Sequence, residues 1–223
     1  AIWIRHMSAF SWSHLSIEKA NGSDFAQHGT SVGIQFDRAV DSLAGGTQNT
    51  GITFDHMLIS GWFLGMLVGG SASASEIECR NVTFSYCHTG WQPLTFNSLN
   101  FWFYNLGLLN NEIGLKIAGD SPHVIGGHTH GNTIADFQLD GPFGILTVDN
   151  VRAELTGAGK FLTGSGDMVV LRQNVITAPS QSYEAIVADA ASFRLDNMYV
   201  PAKIRLGGGP WGPSVVTMMN SIV

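Results

Sequence analysis

The amino-acid sequence predicts an all-β chain wound as a solenoid of short parallel strands. Three observations predict it: sparse charge with abundant glycine, a succession of short alternating apolar runs, and an Asn or Asp turn that recurs along the chain. Charged residues make up 13% of the 223 residues, about half the usual quarter. Apolar residues reach 44% and the mean hydropathy is +0.13, which excludes a disordered chain. Glycine occurs 27 times, well above the usual ~7%. This is the profile of a turn-rich β protein.

The elements follow in order. Gly33-Ile-Gln-Phe-Asp-Arg38 returns eighteen residues later as Gly51-Ile-Thr-Phe-Asp-His56. Looser versions follow at Ile77–Val82, Phe101–Leu106, Val148–Val151, Leu171–Val175 and Arg194–Met198. Each is a short alternating strand, then Asn or Asp, then an apolar residue opening the next strand. Asx side chains tolerate left-handed backbone and bond to their own turn. One such turn per coil places them above one another, so Asp55, Asn81, Asn105, Asn174 and Asn197 are expected in equivalent turns. The strands read as Ile52–Phe54, Val82–Phe84, Leu94–Phe96, Leu115–Ile117, Ile145–Val148 and Met168–Leu171. Ser182–Ala191 is the best helical candidate and reads equally as strand plus turn.

The whole chain, residues 1–223, reads as one domain of coils of about 18–27 residues. Val215–Val223 reads as a strand still in progress, so a core of a longer chain is expected. No run of eighteen apolar residues exists, which excludes a helical membrane span. Net charge is −6 with no basic stripe, which argues against a nucleic-acid binder. Cys79 and Cys87 read as small buried hydrophobes with free thiols.

With its Asx turn column, its apolar coils and phrases such as Gly131-Asn-Thr-Ile-Ala-Asp-Phe-Gln-Leu-Asp-Gly141, the sequence resembles the right-handed parallel β-helix of the pectin-lyase-like superfamily, bacteriophage tailspike type. The resemblance covers about residues 10–215. It implies three short parallel sheets and a virion or extracellular location. It also implies a side-by-side homotrimer and a carbohydrate partner, a surface polysaccharide. The function so implied is a tailspike-like or receptor-binding β-helix, with cleavage of the polysaccharide left open. A secreted polysaccharide lyase or glycoside hydrolase is the first alternative, and a purely structural module is the second.

The candidate chemistry comes from stacking the coils. The turns at Cys87-His88-Thr-Gly90, Asn110-Asn-Glu112-Ile-Gly114 and Leu139-Asp140-Gly141-Pro-Phe-Gly144 each end in glycine. In register, they place His88, Glu112 and Asp140 in one column. Coils ~4.8 Å apart would then hold the two carboxylates near the spacing of a glycosidase pair, with Glu112 as general acid and Asp140 as nucleophile or base. The competing reading is solvated turn residues in a repeat that needs polar turns. His88, counted with the catalytic group, and Trp91 are expected to line the sugar site, with Trp102 and Lys116 also binding substrate. Lys116, between Leu115 and Ile117, should point away from the core toward a groove, where a lyase would need a base.

Two further stretches carry expectations. Between Ile117 and Thr133 a segment reads as a loop that breaks the rhythm and carries Asp120, His123, His128 and His130. His128-Thr-His130 would put both imidazoles on one face. No cysteine accompanies them and the spacing fits no standard zinc pattern, so the segment reads as a polar surface loop, with no metal and no cofactor expected. In Phe101-Trp-Phe-Tyr104, alternation forces one pair of rings outside the coil. An outward aromatic pair means contact with a ligand or, by the favoured reading, with a second subunit.

Overall fold

A computed structural model describes residues 2–4, 8–19, 31–36, 48–68, 73–94, 98–118, 121–141, 143–208 and 214–222. Among these there is no helix, and every strand pairing is parallel. The chain winds round three sides. β1 (Ile2–Ile4) lies on side three. β2 (Ser8–Glu18) bends at His14 to cover sides one and two, and β3 (Val32–Phe36) returns to pair with β1. β4 (Gln48–Ser60) with β5 (Leu64–Val68) repeats that path. So do β6 (Ser73–Ser85) with β7 (Thr89–Pro93), β8 (Ser98–Leu109) with β9 (Ile113–Ile117), and β10 (His123–His130) with β11 (Ala135–Asp140). β12 (Ile145–Glu154) covers sides one and two. β13 (Lys160–Arg172) covers side three and continues onto side one, and β14 (Val175–Thr177) follows on side two. β15 (Glu184–Asp196) spans sides three and one, above which lie β16 (Lys203–Gly208) and β17 (Val215–Met219). The architecture is a parallel β-solenoid.

Each bend needs one left-handed residue. Between sides one and two the positive-φ column is His14, His56, Asn81, Asn105, Gly126, Asn150, Gln173, Asn197 and Asn220. Asparagine recurs because its short amide tolerates this backbone and reaches the next coil. Asn105 Nδ2 donates to Asn81 Oδ1 at 2.9 Å, and Asn81 Nδ2 donates to Asp55 Oδ1 at 3.0 Å. That bond is the first cause, ahead of His56, holding the Asp55 carboxyl below its ordinary range. Asn81, Asn105 and Asn197 therefore occupy equivalent turns as expected. Asp55 and Asn174 lie one residue to either side, with His56 and Gln173 at the bend itself.

The lumen is filled by alternate residues: Ile52 and Phe54, Ile77 and Cys79, Phe101 and Phe103, Leu146 and Val148, Phe193 and Leu195 on side one, all 0–1% exposed. Burying each such side chain contributes ~1.5–3 kcal/mol. Where side two meets side three the lumen narrows, and Gly33, Gly65, Gly90 and Gly114 stack there. A Cβ on Gly90 would lie 2.5 Å from the Gly114 carbonyl oxygen and 2.9 Å from Phe84 Cβ.

Buried amides run along the same corner. Asn111 Oδ1 accepts from the Cys87 N–H and Asn132 Oδ1 from the Asn111 N–H, both at 2.9 Å. Asn132 Nδ2 donates to Asp136 Oδ1 at 2.7 Å, and the Thr129 hydroxyl donates to Asp136 Oδ2 at 2.6 Å. Cys79 and Cys87 are buried free thiols, and burial holds both in the protonated form, with the Cys87 thiol pushed up to about 11.

Several sequence expectations change. Gly33–Phe36 lies on side three and Gly51–Phe54 at the start of side one, so that eighteen-residue echo is not a coil. From β4 to β15 the rungs stack at separations of 21 to 25 residues, as in Phe54↔Cys79 and Phe103↔Val124, whereas β2 and β4 pair 42 residues apart. The histidine segment is no interruption: it is β10, a full rung paired to β8 and β12, with Gly126 taking the place of asparagine at its bend. Ser182–Ala191 is not helical and leads into β15. Of Leu94–Phe96, Leu94 follows β7 as a bend and the rest lies outside the described residues, as does Asp120.

Candidate functional site on side one

Alternation on β8 settles which rings leave the lumen. Phe101 and Phe103 are fully buried, so Trp102 and Tyr104 stand outward. Their centroids are 6.5 Å apart with planes 10° from parallel, which makes one continuous ledge along the strand. His123, on the next rung, stacks on Trp102 at 4.3 Å and 13°. Burial, then the nearby Arg172 charge, lowers the His123 pKa, so this imidazole is neutral around pH 7. The preceding rung brings Glu78 opposite Trp102 and Arg80 opposite Tyr104. The Arg80 guanidinium sits over the Tyr104 ring, 5.4 Å from its centroid, and donates to Glu78 Oε2 from Nε at 2.9 Å and Nη2 at 2.6 Å.

A shallow cavity of about 240 Å³ opens beside the ledge, lined by Gly51, Thr53, Glu76, Glu78 and Trp102. Because the Trp102 ring is stacked flat on His123, its other face turns toward the Glu78 rung and walls this cavity. Glu76 holds a left-handed bend (φ 55) above Gly51, and its Oε1 accepts from Asn100 Nδ2 at 2.6 Å. An apolar ring face edged by carboxylates and a threonine hydroxyl suits a polyol ring: stacking on one side, hydrogen bonds at the rim.

The other expected site residues fall elsewhere. His88 and Glu112 are adjacent-rung neighbours, Nε2 to Oε2 3.3 Å, with Phe63 stacked on His88 at 4.3 Å. Asp140 does not join them. Ile113 pairs with Ala135 and Ile117 with Leu139, so the residue opposite Glu112 is Ile134. Asp140 lies six positions further, ~20 Å along the strand. That exceeds the ~10 Å limit of even an inverting carboxylate pair, so the expected acid–nucleophile pair does not form.

Lys116 does point outward, and its Nζ pairs with Asp140 Oδ2 at 2.9 Å. Trp91 is 0% exposed and packs against Phe101 and Phe103. Its indole has no open face, which overturns its place in a sugar site. Of the two tryptophans expected to bind substrate, Trp102 is the one that borders this cavity. His128 and His130 share the outer face of side two, as alternation requires. There Glu154 meets His130 Nδ1 at 3.4 Å and Arg152 at 3.3 Å. Among the described residues no three His, Cys, Asp or Glu side chains gather as a metal site.

Sequence reasoning missed Glu76, Glu78 and Arg80. The signal was present: Glu78 precedes Trp102 by one coil, and both are outward positions of alternating strands. No protein-family model, curated protein or solved structure matches the chain. No helix among the described residues is long and apolar enough to cross a membrane.

Proposed function

We propose that this β-solenoid is a tailspike-like, pectin-lyase-like module that binds a surface polysaccharide in a virion-borne or extracellular setting, as a homotrimer. The observation that carries the reading is the parallel-ringed Trp102–Tyr104 ledge standing outward beside a polar-rimmed cavity. Outward aromatic rings on a rigid sheet offer a preorganised platform at low entropic cost. The regular rung spacing suits a repeating polymer better than a single small molecule. For the trimer, support comes from the outer surface of side two, where the half-buried Leu58, Ser60 and Thr83 form an uncharged strip.

The chemistry assigned here is binding. The best carboxylate pair legible in the sequence lies too far apart to act on one bond. A glycan array probed with the wild type and with W102A tests the reading. The wild type should bind a defined set of oligosaccharides. W102A should lose that binding by at least about ten-fold, the order of one lost stacking platform. Its thermal melting should be unchanged, because the ring packs on the surface. Undiminished binding by W102A, or no glycan bound by the wild type, would overturn it.

A further inference from the structure

The polarity of the ledge restricts which sugar it takes. The Trp102 and Tyr104 ring planes are nearly parallel, and the β6 rung runs beside both. Over Tyr104 that side is already occupied by a cation, the Arg80 guanidinium, fixed there by Glu78. Over Trp102 the corresponding space is the open cavity, with Glu78 and Glu76 at its edge. Glu78 is balanced by Arg80 at 2.6 Å. The partner of Glu76 is the neutral amide of Asn100, so its negative charge stands uncompensated by any described ion pair. Arg172, further along side one, is committed to Asp149 at 3.4 Å. The cavity therefore combines the negative face of an indole, a carboxylate without a cation, and the Thr53 hydroxyl.

We propose that this cavity takes the ammonium-bearing ring of an amino sugar, a hexosamine with a free amine, within the glycan that side one binds. The inference rests on the polysaccharide reading above and deepens it. The sugar's apolar face stacks on Trp102 and its ammonium lies between the indole face and the glutamates. A cation over a tryptophan face with a carboxylate beside it is favourable on both counts. A uronate ring would bring a third carboxylate against Glu76 and Glu78, a like-charge contact that costs binding. An N-acetylated ring keeps the stacking and forfeits the charge.

Calorimetric titration of the intact chain with three hexasaccharides decides this: the β-1,4-glucosamine hexamer, its N-acetylated counterpart and a galacturonate hexamer. Hexalysine serves as a cation without a sugar. The glucosamine hexamer should bind about ten-fold tighter than the N-acetylated one, and the galacturonate weakest. E76Q should erase most of that preference while leaving the N-acetylated hexamer's affinity as it was, and W102A should weaken both. Equal affinity for the two hexosamine chains overturns the proposal, as does tighter uronate binding or hexalysine binding as well as the glucosamine hexamer. If none of the three sugars binds while the array reports another glycan, the amino-sugar assignment fails and the glycan reading stands. If the array is also blank, both fail.

Discussion

Asp136 is where one residue departs from the rule its neighbours obey. It sits in the column of Gly33, Gly65, Gly90 and Gly114, 2% exposed, and is held by Thr129 and Asn132. Burial pushes its pKa up to about 7, against the lowering effect of both hydrogen bonds. The folded state therefore binds this proton more tightly than the unfolded chain, whose carboxyl titrates near 3.8. The sign follows: the stability is fully present below pH ~4 and is lost as pH rises through ~7, by up to a few kcal/mol. D136N keeps both partners, its amide oxygen accepting from Asn132 and its NH₂ donating to Thr129, and carries no charge at any pH. Urea unfolding at pH 5 and pH 8 should show the wild type losing stability with rising pH and D136N losing little. Parallel pH profiles for the two proteins would refute this account. In the sequence, Ala135-Asp-Phe137 reads as an ordinary alternating strand with its acid outward. Only the narrowed corner, where the inward position sits against side two, buries it.

At the scale of the strand, the narrow corner explains which residues face each other across the lumen. Ile59, Phe84 and Leu108 on side two project toward Gly33, Gly65, Gly90 and Gly114 on side three, and would meet a Cβ there at 2.6–3.2 Å. Where side two carries Thr129, side three carries Asp136. Further on, Ala153 lies on side two and Phe161 on side three. The sum of the two sizes is kept while its division changes. Gly90→Ala thus has no room: its Cβ would meet backbone oxygen on the next rung and a phenylalanine that cannot retreat. A loss of about 1–3 kcal/mol or more is expected from this overpacking, read as a lowered melting temperature. In a double-mutant cycle F84G should lessen the cost of Gly90→Ala, because it removes the Phe84 Cβ that the new methyl meets at 2.9 Å. No recovery in the double variant would mean the clash lies with the Gly114 carbonyl alone.

The alternation of strands and the asparagine bends were legible from sequence because each follows from local chemistry. The register of Glu112 against Asp140 was not. A polar residue followed by glycine occurs at two different corners: Glu112-Ile-Gly114 enters side three, and Asp140-Gly141 leaves it. Sequence alone does not say which corner a given turn belongs to. Likewise Gly126-Gly127 hid a bend elsewhere marked by asparagine, so β10 looked like an insertion.

For the molecule as a whole, a solenoid has no long-range contacts beyond neighbouring coils, so its stability is a sum of coil and interface terms. β17 shows what a rung is worth with a neighbour on one side. It pairs only with β15 among the described strands, and Val216 and Met218 are 44% and 49% exposed. Their counterparts on that side, Phe193 and Leu195, are 1% and 0% exposed. The difference between those pairs is the burial that a further layer supplies, about half of the ~1.5–3 kcal/mol that full burial contributes for each side chain. Local opening should therefore be graded along the axis. Hydrogen exchange on the 223-residue chain should show β6 and β8, flanked on both sides and lined by phenylalanine, exchanging only through the largest openings. β17 should exchange through openings several kcal/mol lower, with β15 between them. Replacing Met218 by Lys should then cost well under 1 kcal/mol, whereas Leu195→Lys should unfold its coil. Uniform protection from β6 to β17 would show instead that the chain opens as one cooperative unit, or that β17 is covered in solution by another surface. Repeating the exchange across a range of protein concentrations separates those two, because only a covering partner makes β17 protection depend on concentration.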